Sequence, residues 1–326
     1  MSDNPELAHA DGAGADLLVE VQDRVGVITL NRPRAINALT HEMIMDIERA
    51  LTLWADDASI SRVRFVGAGE RGFCSGADVR ALREHVLAGS DQAVQFFTDE
   101  YRVNALIADY PKPTHAVMSG ITMGGGVGLA GHCRQREADA TTQIAMPETT
   151  IGLFPDVGSL WLLSRMPGRT GEWMALTGAS VDASSALWAG LVNEVDELLV
   201  HPDSSWLAKA RAWIDEGFSG ETAGEIVAAL AGSAHPEARA AAEVISNRSP
   251  LSVCLTLEAL RRAREMGSVD EVLAQDLVLA TNLMTRESDF VEGVRAQLVD
   301  KDRTPRWRHA SVDEVSADEV ESFFTA

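Results

Sequence analysis

Two sequence patterns share this chain, and one gives way to the other near residue 203. From residue 17 to residue 195, short strand-like runs repeatedly alternate with single helical patterns. From about 203 onward the apolar residues recur almost only at helical spacing. That ordering predicts a mixed α/β body of about 200 residues, followed by a helical part of about 120. We divide the chain into a disordered tail over 1–16, the α/β core over 17–202 and the helical region over 203–326.

The individual runs set the elements. "LLVEVQDRVGVITLNRP" alternates on either side of Asp23-Arg24 and reads as a hairpin. Thr40 can cap a helix whose Met43, Ile44, Ile47, Leu51 and Trp54 share one face. "VRFVG" (63–67), "THAVMSG" and "TQIAM" read as strands, and "DVRALREHVLAG", "DQAVQFFTDEYRVNALIADY" and "GSLWLLSRM" as helices. Farther on, one helix starts at Pro250 and stops at Gly267, and the next opens with a capping box from Ser268 to Glu271.

The formal net charge of −21 opposes nonspecific binding to nucleic acid or to an anionic membrane surface. No apolar run reaches the ~18 residues of a membrane span, and the N-terminus lacks the features of a secretory signal. The three cysteines, Cys74, Cys133 and Cys254, form no CxxC and fit a reduced, cytoplasmic setting.

The chemistry is concentrated in "MPETTIGLFPD" (146–156). Glu148 and Asp156 stand among hydroxyls, apolar residues, one Gly and a Pro, with no Lys or Arg to neutralise them. Two glycine turns accompany them. "CSGAD" and "MGGGVGLA" each follow a strand-like run and open a helix, so each could aim a backbone N–H at one carbonyl oxygen. The plainer alternative is two tight turns with close packing. Gly126, Gly128 and Gly131 also imitate a dinucleotide fingerprint, with Glu148 twenty residues beyond Gly128. Pro147 counts against it, because an acid reading a ribose should end a buried strand. "GFCSG" has the spacing of a nucleophile elbow at Cys74, but no histidine is marked out to serve it, and His115 reads as a core residue. His132-Cys133 has no partner pair at ligand spacing, so no metal is expected.

Taken together, "LNRPRAINAL" (30–39), "GFCSGADV" (72–79), "GITMGGGVGLA" (120–130) and "AMPETTIGLFPDVG" (145–158) resemble the crotonase (enoyl-CoA hydratase/isomerase) superfamily. "DEYRVN" and the ending "DFVEGVRAQLVDKDRTPRWRHASVDEV" resemble its 3-hydroxyisobutyryl-CoA hydrolases in particular. The resemblance covers about residues 17–325. It implies an α/β fold: a spiral of ββα turns with a helical C-terminal region. It also implies hydrolysis of 3-hydroxyisobutyryl-CoA in valine breakdown, with an enoyl-CoA hydratase or isomerase as the alternative. Hydratases carry two catalytic glutamates; here Gly128 takes the place of the first and Glu148 that of the second.

By the same resemblance the N–H groups of Ala77 and Gly125 form the oxyanion hole. Glu148 and Asp156 act on the thioester, while Glu100 and Gly124 lie at the acyl group. Arg34, Ile36, Asp78 and Val79 lie along the CoA. CoA is part of the substrate and no cofactor is expected. The acyl-CoA is the expected partner, with no nucleic acid and no membrane, and a homo-oligomer is left open. "DVGSLW" (156–161) departs from the hydrolase pattern. Two plainer roles compete for the acids: an N-cap for Asp156 and a surface position for Glu100.

Overall fold

A computed structural model describes residues 15–195 and 200–325. The expected tail over 1–16 therefore lies, except for its last two residues, outside the described residues.

The hairpin forms as read: β1 (Leu17–Gln22) pairs antiparallel with β2 (Val25–Leu30). Asp23 and Arg24 both take positive φ at the turn. Alternation in β2 buries Gly26, Ile28 and Leu30 on one face. The next eight strands are β3 (Arg62–Gly67), β4 (Gly72–Cys74), β5 (Thr114–Val117), β6 (Ile121–Met123), β7 (Gln135–Ala138), β8 (Gln143–Ala145), β9 (Val181–Asp182) and β10 (Glu194–Val195). They divide between two sheets. One runs β1-β2-β3-β5-β7-β10 and is parallel beyond its hairpin; the other runs β4-β6-β8-β9. Each successive pair (β3/β4, β5/β6, β7/β8) thus sends its first strand to one sheet and its second to the other. Helices α2 (Val79–Ala88) and α3 (Gln92–Ala108) follow the first pair, and α4 (Gly125–Gly131) follows the second. The result is the spiral of ββα turns.

Helix α1 (His41–Ala55), between β2 and β3, shows how the sequence drives packing. Thr40 Oγ1 accepts the Met43 N–H at 3.2 Å, and Met43, Ile44, Ile47, Ala50, Leu51 and Trp54 are buried. Trp54 lies flat against Gly26, where an added β-carbon would come within 2.5 Å of the indole. Burying such side chains contributes about 1.5–3 kcal/mol each.

Three short helices, α5 (Ser159–Leu163), α6 (Thr170–Thr177) and α7 (Ala183–Ala189), precede the all-helical region. That region contains α8 (Trp206–Gly217), α9 (Ala223–Gly232), α10 (Pro236–Ser246), α11 (Pro250–Glu265), α12 (Val269–Leu283), α13 (Asp289–Val294) and α14 (Ala317–Ser322). At α12 the expected capping box is half made. Ser268 accepts the Glu271 N–H, but the Glu271 carboxylate takes the Gly267 N–H instead of that of Ser268.

The helical region is bolted to the segment that carries Glu148. A β-carbon on Gly152 would lie 2.2 Å from the Asp289 carbonyl carbon, and one on Gly293 would lie 2.4 Å from that of Ile151. Ser249 donates its N–H to Thr149 O at 3.2 Å and its hydroxyl to Asp289 Oδ2 at 2.6 Å.

Candidate active site

Strand β4 and strand β6 are neighbours in the smaller sheet, so the turns that follow them stand side by side. Gly76 (φ +97°) and Gly124 (φ +51°) bend those turns into conformations that L side chains rarely adopt. A β-carbon on Gly76 would lie only 3.3 Å from the Gly125 nitrogen. The chain then enters α2 and α4, leaving the Ala77 and Gly125 N–H groups free: neither donates to an acceptor among the described residues. A β-carbon on Gly125 would lie 3.5 Å from the Ala77 nitrogen, so the two amides border one small volume.

Carboxylates close around that volume. An added β-carbon on Gly125 would come within 2.5 Å of Glu100 Oε1, and one on Gly124 within 2.9 Å of Glu148 Oε1. Glu148 opens a 3₁₀ turn (Glu148–Ile151) directly after Pro147. Glu100 projects from α3 and is 1% exposed, which excludes the surface position weighed for it. Asp156 is 4% exposed; α5 is capped by Gly158, so Asp156 has no N-cap role there. Glu100 Oε1, Glu148 Oε2 and both polar atoms of Asn104 are buried with no partner among the described residues. Polar atoms left unpaired inside a core call for an explanation, and a substrate oxygen or water would supply their bonds.

Among the described residues no cation pairs with these acids. Burial pushes Glu148 well above the ordinary glutamate range, and the nearby Asp156 charge pushes it further. Glu100 is raised for the same two reasons. Asp156 is raised by burial to only about 6, because Tyr101 donates to its Oδ2 at 2.7 Å and favours the charged form.

The residues expected along the CoA are Arg34, Ile36, Asp78 and Val79. Ile36 holds a left-handed conformation (φ +50°) after a 3₁₀ turn over Pro33–Ala35, and Arg34 is exposed. Asp78 pairs with Arg32 at 3.2 Å just before Val79 begins α2. Cys74 is fully buried, and burial pushes its thiol up to about 12, opposite to what a nucleophile needs. Among the described residues no cluster of His, Cys, Asp or Glu could hold a metal ion. In "DVGSLW", Ser159 is buried with its hydroxyl unpaired, while Trp161 stacks on the Arg165 guanidinium at 3.2 Å.

Three further residues at the site escaped the sequence reading: Tyr101, Asn104 and Asp276. A signal for two of them was present. On α3 the buried residues include Ala93, Phe96, Phe97, Glu100, Asn104 and Ile107, and on α12 they are Val272, Leu273, Gln275, Asp276, Leu279, Ala280 and Leu283, mostly apolar in both. A polar side chain on an otherwise apolar helix face is a local inconsistency of the kind functional sites create.

Two amide donors opposite buried acids define a site for chemistry at a carbonyl group. Comparison with known proteins gives that class its family. The enoyl-CoA hydratase/isomerase family description matches residues 25–198 and 191–324. The chain belongs to the enoyl-CoA hydratase/isomerase family. It is 37% identical to a Gallus gallus protein named 3-hydroxyisobutyryl-CoA hydrolase, mitochondrial, over 97% of this chain and 90% of that protein. It is 34% identical to 3-hydroxyisobutyryl-CoA hydrolase 1 of Arabidopsis thaliana, over 95% and 91%. Among solved structures it resembles a carnitinyl-CoA dehydratase from Mycobacterium thermoresistibile, with TM-score 0.91, 40% identity, and coverage of 96% and 97%. An enoyl-CoA hydratase from Rhodobacter sphaeroides gives TM-score 0.90 and 38% identity over 95% and 97%. The expected spiral fold stands. The cytoplasmic expectation gains nothing from these relatives, since the animal ones are named mitochondrial. No helix among the described residues is long and apolar enough to cross a membrane.

Proposed function

We propose that this chain hydrolyses 3-hydroxyisobutyryl-CoA to 3-hydroxyisobutyrate and CoA, a step of valine breakdown. The observation that carries hydrolysis over hydration is the crowding at Gly128. A β-carbon there would meet Val157 Cβ at 2.7 Å and Asn104 Nδ2 at 2.9 Å, so an acid does not fit at position 128, where the hydratases carry their first glutamate. Adding water across a double bond in this family uses a pair of acids; opening a thioester needs one nucleophile or base and an oxyanion hole.

The acyl carbonyl oxygen lies between the Ala77 and Gly125 N–H groups. Glu148, ionised, attacks the carbonyl carbon. The carbon–sulfur bond breaks, CoA leaves as thiolate and takes up a proton, and the acyl group stays on Glu148 as a mixed anhydride. Water then opens the anhydride and restores the carboxylate. Direct attack suits a buried carboxylate, which excludes the water a general base would have to hold. Asp156 grips the substrate hydroxyl and assists the second step, with Glu100 and Gly124 at the acyl group. Arg34, Ile36, Asp78 and Val79 follow the CoA. No cofactor takes part. The three unpaired cysteines fit a reducing compartment, and a cytoplasmic location is proposed on that ground.

The test is free-thiol release from 3-hydroxyisobutyryl-CoA beside loss of enoyl absorbance from crotonyl-CoA. Thiol release with little hydration is expected. Fast hydration without thiol release would reverse the assignment and make the chain a hydratase, as the Rhodobacter sphaeroides relative is named.

A further inference from the structure

Asp156 is followed by a backbone that resists its own conformation. Val157 has φ +55°, a left-handed value that is a genuine outlier for a β-branched residue, and Gly158 continues at φ +71°. Such a conformation persists only where the surroundings over-determine it. Here one peptide group, Val157–Gly158, is gripped at both ends. Its carbonyl oxygen lies 2.8 Å from His132 Nε2, and its N–H donates to Asp276 Oδ2 at 2.8 Å.

Both gripping side chains are buried, His132 at 9% exposure and Asp276 at 0%. The carbonyl can only accept, so His132 Nε2 must carry its hydrogen. The turn has nowhere to relax. A β-carbon on Gly158 would meet His132 Nε2 at 2.9 Å and Leu273 Cδ2 at 3.2 Å, while Val157 is pressed against Gly128.

The two grips come from different parts of the molecule. His132 follows the last residue of α4, whose first N–H is that of Gly125. Asp276 lies in α12, in the helical region. One short helix therefore ties the oxyanion donor to the turn that bears Asp156, and a second helix holds that turn from the other side.

We infer that His132 and Asp276 are positioning residues, which clamp the Val157–Gly158 peptide and thereby aim the Asp156 carboxyl at the hydroxyl of the acyl group. The inference rests on the proposed role of Asp156, and the test separates the two. Asp276→Ala, Asp276→Asn and Asp156→Asn are compared on 3-hydroxyisobutyryl-CoA and on isobutyryl-CoA, which lacks the hydroxyl. Hydrogen–deuterium exchange over 153–160 reads the clamp without substrate.

Asp276→Ala should lower kcat on the hydroxylated thioester by about tenfold to a hundredfold and turnover of the deoxy thioester by a clearly smaller factor, since misplacing a group by about 1 Å costs that much. Exchange over 153–160 should accelerate. Asp276→Asn keeps an oxygen to accept the Gly158 N–H, so kcat and exchange should return to within about threefold of the native protein. His132→Leu and His132→Gln form the parallel pair, with Gln restoring a donor, and carry the same test if Asp276→Ala does not fold.

Unchanged exchange and an unchanged hydroxyl preference in a folded Asp276→Ala protein overturn the inference. Equal losses in the Ala and Asn variants overturn it too, because the acceptor would then be irrelevant. If Asp156→Asn alone leaves the hydroxyl preference intact, the reading of Asp156 falls. Slow exchange over 153–160 in native protein, lost in Asp276→Ala, would then still establish the clamp.

Discussion

The Tyr101 hydroxyl donates to Asp156 Oδ2 at 2.7 Å, with both groups inside the protein. This one bond ranks the acids of the site. It favours the charged form of Asp156 and limits the rise that burial causes to about 6. Among the described residues no side chain donates to Glu148 or Glu100, and each is raised further by the charge Asp156 carries. Charge on Asp156 therefore opposes charge on its neighbours. Groups this close titrate together, so a pH profile reports the set and not one residue.

Removing the donor should shift that order. Tyr101→Phe keeps the ring and deletes the hydroxyl, so Asp156 ionises at higher pH. Because turnover on this reading needs Asp156 charged as well as Glu148, the acidic limb of kcat should move upward, with a larger loss at pH 6 than at pH 8, of about tenfold. The measurement is kcat for thiol release from pH 5 to pH 9. Superimposable profiles for native and variant protein would deny the bond any role in turnover.

Glu148→Gln should lower thiol release by about a thousandfold or more while CoA binding survives, because the amide is neither nucleophile nor base. A single turnover in oxygen-18 water, with enzyme in excess, distinguishes the two routes. Direct attack can leave label in Glu148 and allows an unlabelled enzyme oxygen into the product. A general base leaves the protein unlabelled and the product fully labelled, and that result would remove the covalent step.

Gly128→Glu should not create a hydratase. Even the β-carbon of Gly128→Ala meets Val157 Cβ at 2.7 Å. Overpacking of that kind costs about 1–3 kcal/mol, and the longer side chain should cost more. Thermal unfolding should show both losses in that order, with no hydration of crotonyl-CoA by the Glu variant. A stable, hydrating Gly128→Glu enzyme would refute the crowding argument.

The acids of the site should weaken the fold as pH rises. Glu100, Glu148, Asp156 and Asp276 all bind protons more tightly folded than unfolded, chiefly because burial disfavours their charge. Stability from such groups is complete below the unfolded value of about 4 and is lost as pH climbs through the folded values. Glu100→Gln removes one of these charges at a carboxyl whose Oε1 has no partner. It should raise Tm at pH 8 by about 2 °C or more, and by less at pH 5. Thermal scans at the two pH values check the difference; a variant less stable at pH 8 than the native protein would contradict it.

Periodicity exposed the long elements of this fold. Thr40 with the face from Met43 to Trp54, and Pro250 with the helix it opens, could be read directly because many residues repeat one signal. Strands β4 and β6 are three residues each, too short for alternation to register, although they aim both glycine turns. Strand β7, "QREA", carries mostly polar residues and holds its place by pairing with β5. Glu148 and Asp156 stood out as uncompensated acids in an apolar run. Glu100 was reached by resemblance, although its place on the buried face of α3 marks it in physical terms. Tyr101, a mostly apolar side chain in a core helix, gave no sign of its bond, which depends on where the chain returns 55 residues later.

The bolting of Gly152 and Gly293 to the opposite chain gives this protein a timetable. A ribosome delivers Glu148 long before Asp289 and Gly293; at ~5–20 residues per second, those 145 residues take roughly 7–29 s. During that interval the glycine turns and the acids exist on a growing chain, but the wall behind Glu148 does not. The packing that backs Glu148 is thus completed only once the segment around Asp289 and Gly293 has emerged.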